Sequence, residues 1–414
     1  MRIVHLSTRD SLAGAFRAAN RLHYGLQQAG LDSLMLVARK YSQDPTVSLP
    51  TATLPSRLLH AIRMVREQVP LRAYPNRRDI FSPAVASANL HPVLRRLAPD
   101  VIHLHWLAHG FVRPEDFATW QRPLVWTMHD VWPFTGGCHI NLGCTRYEAQ
   151  CGCCPVLASQ DEHDLSHQLW QRKMAAWQDL TIHFVALSTW AADSLRASSL
   201  GARHPIHVIP NGIDGDLFRP QPKAAARQQL GLPTEKKIIL FGAMNLTDSA
   251  KGYPQFVAAL ERLAAQPDAK TKHIVTFGSG DARRVDETGM ATTHLGFITD
   301  DQRLATIYSA ADVMVVPSLQ ENFVQTAAEA LACGVPVVCF DATGLKDAVE
   351  HQRCGYRATP FSSDDLADGI TWVLADDARY QILAARARAK VLEQFTLQRV
   401  AAQYQEIYSQ LSQQ

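Results

Sequence analysis

The sequence has no long hydrophobic run, no marked excess of charge and no internal repeat of short period. No stretch approaches the roughly eighteen consecutive apolar residues of a membrane-spanning helix. Lys and Arg number 41 against 39 Asp and Glu, and a net charge of +2 gives no general case for nucleic acid as a partner. The N-terminal segment MRIVHLSTRD lacks the apolar core of a signal peptide. These absences predict a cytoplasmic enzyme or binding protein.

The chain is longer than one hydrophobic core usually holds, since its 414 residues exceed a typical domain of roughly 200. Apolar β-like runs alternate with helical patterns from RIVHLS to HPIHVIP, and the alternation restarts at KKIILFGA after the Gly-, Pro- and Asp-rich segment IPNGIDGDLF. This order indicates βαβ units on mostly parallel sheets. We therefore expect an α/β protein with two Rossmann-like domains that face each other across a cleft, over residues 1–210 and 211–395. A final amphipathic helix, about 396–414, is expected to pack back on the first domain.

Two glutamates eight positions apart, Glu321 and Glu329, lie in the segment PSLQENFVQTAAEALACGVPVV. The pattern predicts a strand, a loop that contains Glu321, and a helix that contains Glu329 and stops at Gly334. Ligands of open α/β sheets bind at this edge, and the N–H groups at such a helix start suit a phosphate. For two spaced glutamates alone, the plainer interpretation is a helix cap and a solvated helix residue.

The residues around this pair resemble a known family. The stretch HLGFITDDQRLATIYSAADVMVVPSLQENFVQTAAEALACGVPVVCFDATGLKDAV resembles the donor-binding half of the retaining glycosyltransferases of family 4, which have the GT-B fold. The likeness extends to KGYPQFVAAL, IPNGIDGDLF, TMHD and AGAFRAANRLHYGLQQAG. It implies transfer of a sugar, such as a hexose, from a UDP- or GDP-linked donor to a glycan, lipid or small-molecule acceptor, as in polysaccharide biosynthesis. It also implies that catalysis requires no metal or other cofactor.

The resemblance assigns roles in the second domain. Glu329 would hold the ribose of the nucleotide-sugar, while Glu321 would face the sugar or its leaving phosphate. Phe323 and Val324 would offer backbone N–H groups, and Lys251 would place a cation beside the departing diphosphate.

Three further positions match the family pattern, and a fourth, Asn245, departs from it. Gly14 would let the backbone approach the diphosphate, and Phe297 lies where the family contacts the nucleobase. Asn245 stands near the place where many members carry an Arg, so it can donate a hydrogen bond there but supplies no charge. His129, in TMHD, would contact the transferred sugar and is the third catalytic candidate beside Lys251 and Glu321; without the resemblance, a structural histidine is the plainer interpretation.

Five of the eight cysteines crowd into GGCHINLGCTRYEAQCGCCP. Cys151 and Cys154 have the C-x2-C spacing of half a structural zinc site, whereas Cys138 and Cys144 are spaced more widely. A structural zinc ion held by these four cysteines, a redox or disulfide pair, and unliganded thiols remain alternatives. The position after TMHD places this segment beside the expected acceptor side.

Residues 57–78, RLLHAIRMVREQVPLRAYPNRR, combine arginines with apolar residues at helical spacing. The segment predicts either a peripheral contact with an anionic membrane, at the inner face, or an ordinary surface helix with its arginines in solvent.

Two other functions remain open at this stage. A nucleotide-sugar epimerase or hydrolase on the same fold would act without an acceptor. A non-catalytic nucleotide-sugar-binding protein would release no nucleoside diphosphate, so measuring that release with and without an acceptor separates the three.

Overall fold

Buried strands alternate with helices to form two separate parallel sheets. The computed structural model describes residues 1–12, 14–50, 55–141 and 143–412, with the backbone only for residues 55–57. Contacts divide the chain into one unit that runs from Met1 to Pro210 and resumes at Val400, and a second unit, Asn211–Arg399.

The strands of the described chain are short and mostly apolar, as expected for parallel sheets covered on both faces. In the first unit they are β1 (Arg2–Arg9), β2 (Asp32–Arg39), β3 (Val47–Ser48), β4 (Val101–Leu104), β5 (Leu124–Met128), β6 (Ile182–Ala186) and β7 (Ile206–Val208). In the second they are β8 (Lys237–Asn245), β9 (Lys272–Ser279), β10 (Thr292–His294), β11 (Val313–Val316), β12 (Val337–Phe340) and β13 (Gly355–Ala358).

The sheet orders are β3-β2-β1-β4-β5-β6-β7 and β10-β9-β8-β11-β12-β13. All neighbouring strands pair in parallel. Such doubly wound sheets bind ligands outside the carboxyl ends of their strands.

Helices cover the sheets, and their amphipathic patterns bury one face each. In chain order they are α1 (Gly14–Gln28), α2 (Pro55–Gln68), α3 (His91–Leu97), α4 (Phe117–Trp120), α5 (Leu165–Trp177), α6 (Thr189–Ala197), α7 (Lys223–Leu230), α8 (Tyr253–Ala264), α9 (Arg283–Asp286), α10 (Asp301–Ala310), α11 (Gln325–Ala332), α12 (Leu345–Ala348), α13 (Ser363–Leu374), α14 (Asp377–Gln394) and α15 (Leu397–Leu411). None of the helices in the described ranges is both long and apolar enough to cross a membrane.

The last helix, α15, packs against the sheet of the first unit. Its buried residues Val400, Tyr404 and Tyr408 recur every four positions and share a hydrophobic cluster with Ile3 and Val101. The Tyr404 hydroxyl also lies 2.6 Å from Thr127 Oγ1. Residues at the two ends of the sequence therefore build one core.

Candidate functional site

A lysine and a glutamate meet at the carboxyl edge of the second sheet. Lys251 follows β8, Glu321 follows β11, and Lys251 Nζ donates to Glu321 Oε1 over 2.6 Å. Burial lowers the pKa of Lys251, but the charge and hydrogen bond of Glu321 outweigh burial, so the pKa is raised overall. The ammonium group is therefore held in its charged form, as binding a phosphate requires.

A glycine brings these two loops together. Gly252 has φ +67°, and a Cβ at this position would lie 1.8 Å from the carbonyl oxygen of Pro317. Next to it, Leu319 N donates to Ala250 O over 2.8 Å. The Lys-Gly pair therefore needs glycine at its second position for steric reasons, and this contact fixes Lys251 beside the loop of Glu321.

Glu329 is the fifth residue of α11, and only 3% of its surface is exposed. One carboxylate oxygen accepts a hydrogen bond from the hydroxyl of Tyr308, on α10, over 2.8 Å. A carboxylate has about four acceptor positions, more than this one tyrosine occupies. Tyr308 thus orients the glutamate for which the family resemblance implies contact with the ribose.

The start of α11 carries no side-chain cap. Val324 is the N-cap, with extended backbone at φ −101° and ψ 102°, and Phe323 before it packs edge-to-face on Phe395 with ring centroids 5.5 Å apart. First-turn N–H groups have no intrahelical acceptor. The buried Phe323 anchors a helix start whose backbone donors and dipole suit an anion.

Two residues of the loop after β12 support the Glu321 loop, and the sequence analysis missed both. Glu321 N donates to Thr343 Oγ1 over 3.1 Å, and Gly344 N donates to Glu321 O over 2.9 Å. A Cβ on Gly344 would lie 2.3 Å from the carbonyl oxygen of Asn322. The sequence signal was present as ATG within the family-like stretch, but its partner is distant in the chain.

Asn245 ends β8 and Phe297 follows β10, so both lie at the same edge of the sheet. Asn245 Oδ1 accepts from Thr247 N over 3.1 Å and from Thr247 Oγ1 over 3.0 Å, so in this structure it shapes its own turn. Phe297 is 49% exposed and follows Gly296, which has φ +68°. An exposed aromatic ring on a fixed turn is suited to stacking on a nucleobase.

His129 and Gly14 belong to the first unit, where both follow carboxyl ends of strands. Gly14 opens α1 after β1, and His129 comes directly after β5. Burial lowers the pKa of His129 to about 4, against the opposing charge of Asp130, so the imidazole is neutral at pH 7. Its Nε2 lies 3.0 Å from Nδ1 of His105.

The adjacent Asp130 ties this segment to its surroundings. Its carboxylate accepts from Trp106 Nε1 over 2.6 Å and from Trp132 N over 2.9 Å, and His139 Nδ1 lies 2.5 Å away. Burial raises the pKa of Asp130, but His139 and these hydrogen bonds lower it more, and the net shift is downward. The carboxylate therefore holds His129 and the cysteine-rich segment in a fixed relation.

The four cysteines proposed as zinc ligands line one small cavity in the first unit, together with Tyr147. Gly136 N donates to the sulfur of Cys151 over 3.1 Å. Burial raises the pKa of Cys154, although the backbone N–H groups of Val156 and Leu157 donate to its sulfur and oppose the rise. Backbone donors aimed at sulfur favour thiolates, as in metal sites, yet all four residues are free cysteines here: Cys138, Cys144, Cys151 and Cys154.

In the described ranges, one group of potential metal-ligating side chains has all its ligand atoms within 4.8 Å of one another. This group does not include the cysteines. It consists of His5, His103 and His105, all buried. Every ring nitrogen of the three is within hydrogen-bond distance of another side chain: His105, Ser33, His129, Thr127 or Tyr408. The group is thus a hydrogen-bonded network.

Family models cover most of the chain. The model described as Glycosyltransferase Family 4 matches residues 12–217, and the model described as Glycosyl transferases group 1 matches residues 235–376. A D-inositol 3-phosphate glycosyltransferase of Xylanimonas cellulosilytica is 30% identical over 326 residues, which cover 75% of this chain and 72% of that relative. A relative from Thermobispora bispora with the same name is 28% identical over 75% of this chain and 70% of its own length.

Solved GT-B glycosyltransferases have the same fold. Sucrose-phosphate synthase of Thermosynechococcus elongatus superposes with a TM-score of 0.69 at 22% identity and covers 99% of both chains. HepE of Anabaena, solved in complex with UDP and glucose, gives 0.66 at 19% identity over 99% of this chain and 100% of its own. WaaG, a glycosyltransferase involved in lipopolysaccharide biosynthesis, gives 0.66 at 14% identity over 98% and 99%. The family resemblance and the predicted fold class are confirmed.

Proposed function

The chain belongs to the group 1 glycosyltransferases of family 4, and from this membership we propose that it transfers a sugar from a nucleotide-sugar to an acceptor with retention at the anomeric carbon. The observation that carries the proposal is the Lys251–Glu321 pair, at 2.6 Å, in loops at the same sheet edge as the uncapped start of α11. A cation, a carboxylate and the backbone N–H groups of a helix start together match a sugar bound through a diphosphate.

In the proposed reaction, the bond between the anomeric carbon and the phosphate oxygen breaks, and the acceptor oxygen bonds to that carbon on the same face. The acceptor proton passes to the departing phosphate, so the products are the glycoside and a nucleoside diphosphate. Negative charge grows on the leaving oxygen, where Lys251 and the α11 start stabilise it. No metal ion is required, because these fixed groups supply the positive charge.

The donor is proposed to be UDP- or GDP-linked. HepE, which has the same fold, binds UDP and glucose, and Glu329 here presents a buried carboxylate suited to a ribose diol. The acceptor is proposed to be a sugar, glycan or lipid-linked glycan.

The test is release of nucleoside diphosphate from UDP-glucose and GDP-mannose, each with and without a glycan- or lipid-containing extract. Release that depends on the extract, with a product of the same anomeric configuration as the donor by proton NMR, supports the proposal. Equal release without extract indicates a hydrolase, an epimerised donor without release indicates an epimerase, and binding without turnover of any kind indicates a binding protein.

Helix α2 buries the polar side chains of His60 and Glu67 and exposes several apolar ones. The buried Glu67 accepts hydrogen bonds from Ala84 N and Ala86 N over 3.1 and 2.7 Å. On the opposite side, five apolar residues are 46–65% exposed, namely Leu58, Leu59, Ile62, Val65 and Val69. Exposed arginines accompany them: Arg66, Arg72, Arg77 and Arg78.

We propose that this face binds an anionic bilayer at its surface, since apolar side chains enter the headgroup region while arginines pair with phosphates. Replacing Ile62 and Val65 together with Gln should reduce co-sedimentation with phosphatidylglycerol vesicles at least about tenfold, because each side chain contributes about 1.5–3 kcal/mol when buried. Ile382→Gln is the matched control, because Ile382 is 65% exposed in the second unit. Equal binding by both variants contradicts a membrane role for α2.

We also propose a structural zinc ion in the cysteine cavity. The backbone donors at Cys151 and Cys154 support it, and so does the buried Lys173 nearby, whose ammonium charge would offset that of a zinc tetrathiolate. The four sulfurs must move closer together to share one ion. Such an ion would brace the segment that follows TMHD and would take no part in the chemistry.

A further inference from the structure

A line of buried and half-buried polar side chains crosses the first sheet and ends at His129. It follows the strand order β5, β4, β1, β2, then passes through α1 to the loop before β3. Its members, from the candidate catalytic residue outward, are His129, His105, His5, Ser33, His23, Thr46 and Asp44.

The links are short enough for hydrogen bonds throughout. Going outward from His129 Nε2, the successive distances are 3.0 Å to His105 Nδ1, 2.9 Å from His105 Nε2 to His5 Nδ1, and 3.1 Å from His5 Nε2 to Ser33 Oγ. They continue with 2.7 Å to His23 Nδ1, 2.8 Å from His23 Nε2 to Thr46 Oγ1 and 2.6 Å to Asp44 Oδ1.

All four histidines of the line are neutral at pH 7. Burial lowers the pKa of His23 and of His129 to about 4, and it lowers the pKa of His5 and His105 well below the ordinary value. A neutral imidazole has one N–H donor and one bare nitrogen. A hydroxyl has one hydrogen to donate, so a direction fixed at the Asp44 end is passed inward from each member to the next.

The Asp44 end determines that direction. The surrounding hydrogen bonds and charges lower the pKa of Asp44 despite the opposing effect of partial burial, so its carboxylate only accepts. Thr46 must then donate its one hydroxyl hydrogen to Asp44, and its oxygen accepts a hydrogen bond from His23 Nε2–H. His23 is left with a bare Nδ1, which accepts from Ser33.

The same rule carries the direction inward. Ser33 has given its hydrogen to His23, so it accepts from His5 Nε2–H. His5 Nδ1 is then bare and accepts from His105 Nε2–H, and His105 Nδ1 accepts from His129 Nε2–H.

We propose that Asp44, acting through this line, holds His129 as the Nε2–H tautomer and leaves the lone pair on Nδ1. His129 can then accept a hydrogen bond at Nδ1 from a sugar hydroxyl, and it cannot donate one there. The significance for catalysis rests on the proposed function and on the role that the family resemblance implies for His129, contact with the transferred sugar; the tautomer itself rests on neither. The other six members are positioning residues.

Within the described part of the chain, Gln27 is a nearby group that favours the opposite direction. Its amide nitrogen lies 3.3 Å from His23 Nε2, but it is closer to Thr46 Oγ1, at 3.0 Å, and to Ser33 O, at 3.2 Å. An amide nitrogen has two hydrogens, and these two oxygens take both. If Thr46 lost its hydroxyl, Gln27 could donate to His23 Nε2, and every hydrogen bond up to His129 would reverse.

The test uses the full chain with 15N-labelled histidine and long-range 1H–15N spectra at pH 7, which distinguish protonated from bare ring nitrogens. The signals of His129 are assigned by their loss in His129→Gln. In the wild type we expect Nε2 protonated and Nδ1 bare. In Thr46→Val we expect the protonated form of Nδ1 to become the major one.

Thr127→Val is the matched control. Thr127 is also a threonine whose hydroxyl bonds a histidine, His103, in the same buried cluster, but it lies outside the line, so His129 should keep its tautomer. A wild type with Nδ1 protonated, or a Thr46→Val protein with unchanged His129 signals, overturns the proposal. Thermal melting curves of both variants are recorded so that a folding defect is recognised. If Thr46→Val does not fold, Ser33→Ala, which breaks the line at another member, is measured instead. In Ser33→Ala we expect a mixture of His129 tautomers, and an unchanged tautomer overturns the proposal.

Activity gives a separate reading. If His129 acts on the sugar, Thr46→Val should lower kcat about tenfold, because His129 Nδ1 can no longer accept a hydrogen bond from the sugar hydroxyl. Donor affinity should stay nearly unchanged. A reversed tautomer with unchanged kcat leaves the line established and removes His129 from the proposed mechanism.

Discussion

Removing the buried carboxylate at position 329 should separate a donor-binding role from a structural one. In Glu329→Ala, a nucleotide loses a carboxylate that bridges its ribose hydroxyls. Hydrogen bonds to a charged group contribute about 1.5–3 kcal/mol, so the Kd should rise about 10- to 150-fold. The same change takes the acceptor from the Tyr308 hydroxyl, which lies 2.8 Å from Glu329 Oε2, and should lower the free energy of unfolding by about 1–3 kcal/mol.

Tyr308→Phe is the control, because it removes the same hydrogen bond by deleting its donor and keeps the carboxylate. It should cost about 1 kcal/mol of stability but change nucleotide affinity less than about threefold. Isothermal titration calorimetry with UDP and GDP measures the affinity of each variant, and urea unfolding measures stability. If Glu329→Ala loses stability as expected but binds the nucleotide as tightly as the wild type, Glu329 serves the structure only.

Three further outcomes follow from individual side chains. Lys251→Met should lower kcat about 100-fold and donor affinity much less, since the negative charge on the leaving phosphate grows in the transition state. Lys346→Met, at an exposed lysine, should leave both unchanged. A fall in kcat of less than about twofold in Lys251→Met contradicts the role. Protein purified without chelating resin should contain close to one zinc per chain by elemental analysis, Cys151→Ser should lose it and Cys354→Ser should not; less than about a tenth of an equivalent in the wild type refutes the site. Burial lowers the pKa of Lys173 from 10.5 to about 7, so between these two pH values the unfolded chain binds more protons than the folded one. The free energy of unfolding of zinc-free protein should therefore rise with pH across that range. Lys173→Met should flatten the rise, and an unchanged slope in urea melts contradicts the burial of a neutral lysine.

The sheets could be predicted from the sequence because strands buried on both faces read as apolar runs. VMVVPS and VPVVCF became β11 and β12. Short strands such as β3, Val47–Ser48, and β13, Gly355–Ala358, gave no such run. They are defined by pairing with a neighbouring strand, which local sequence does not encode.

The donor residues could be predicted only as separate positions. Glycine after Lys251 was visible in the sequence, but its reason, the carbonyl of Pro317 at 1.8 Å from a Cβ, depends on two loops separated by more than sixty residues. The salt bridge between Lys251 and Glu321 has the same origin. The sequence indicates which residues can perform the chemistry, whereas the side chains that contact them are determined by the topology of the fold.

The histidine line shows the same limit most clearly. His103 and His105 were visible in VIHLHW, and the alternation of side chains along a strand already placed them on one face. Of the two, only His105 belongs to the line, and its tautomer depends on Asp44, which is three strands away in the order of the sheet and supplies neither an apolar pattern nor a motif. A carboxylate that only accepts can orient a series of neutral groups because each member has one hydrogen to give. The tautomer of His129 is therefore determined at a residue that no local pattern connects to it, and a search confined to the surroundings of His129 would miss the group that decides whether Nδ1 accepts or donates a hydrogen bond.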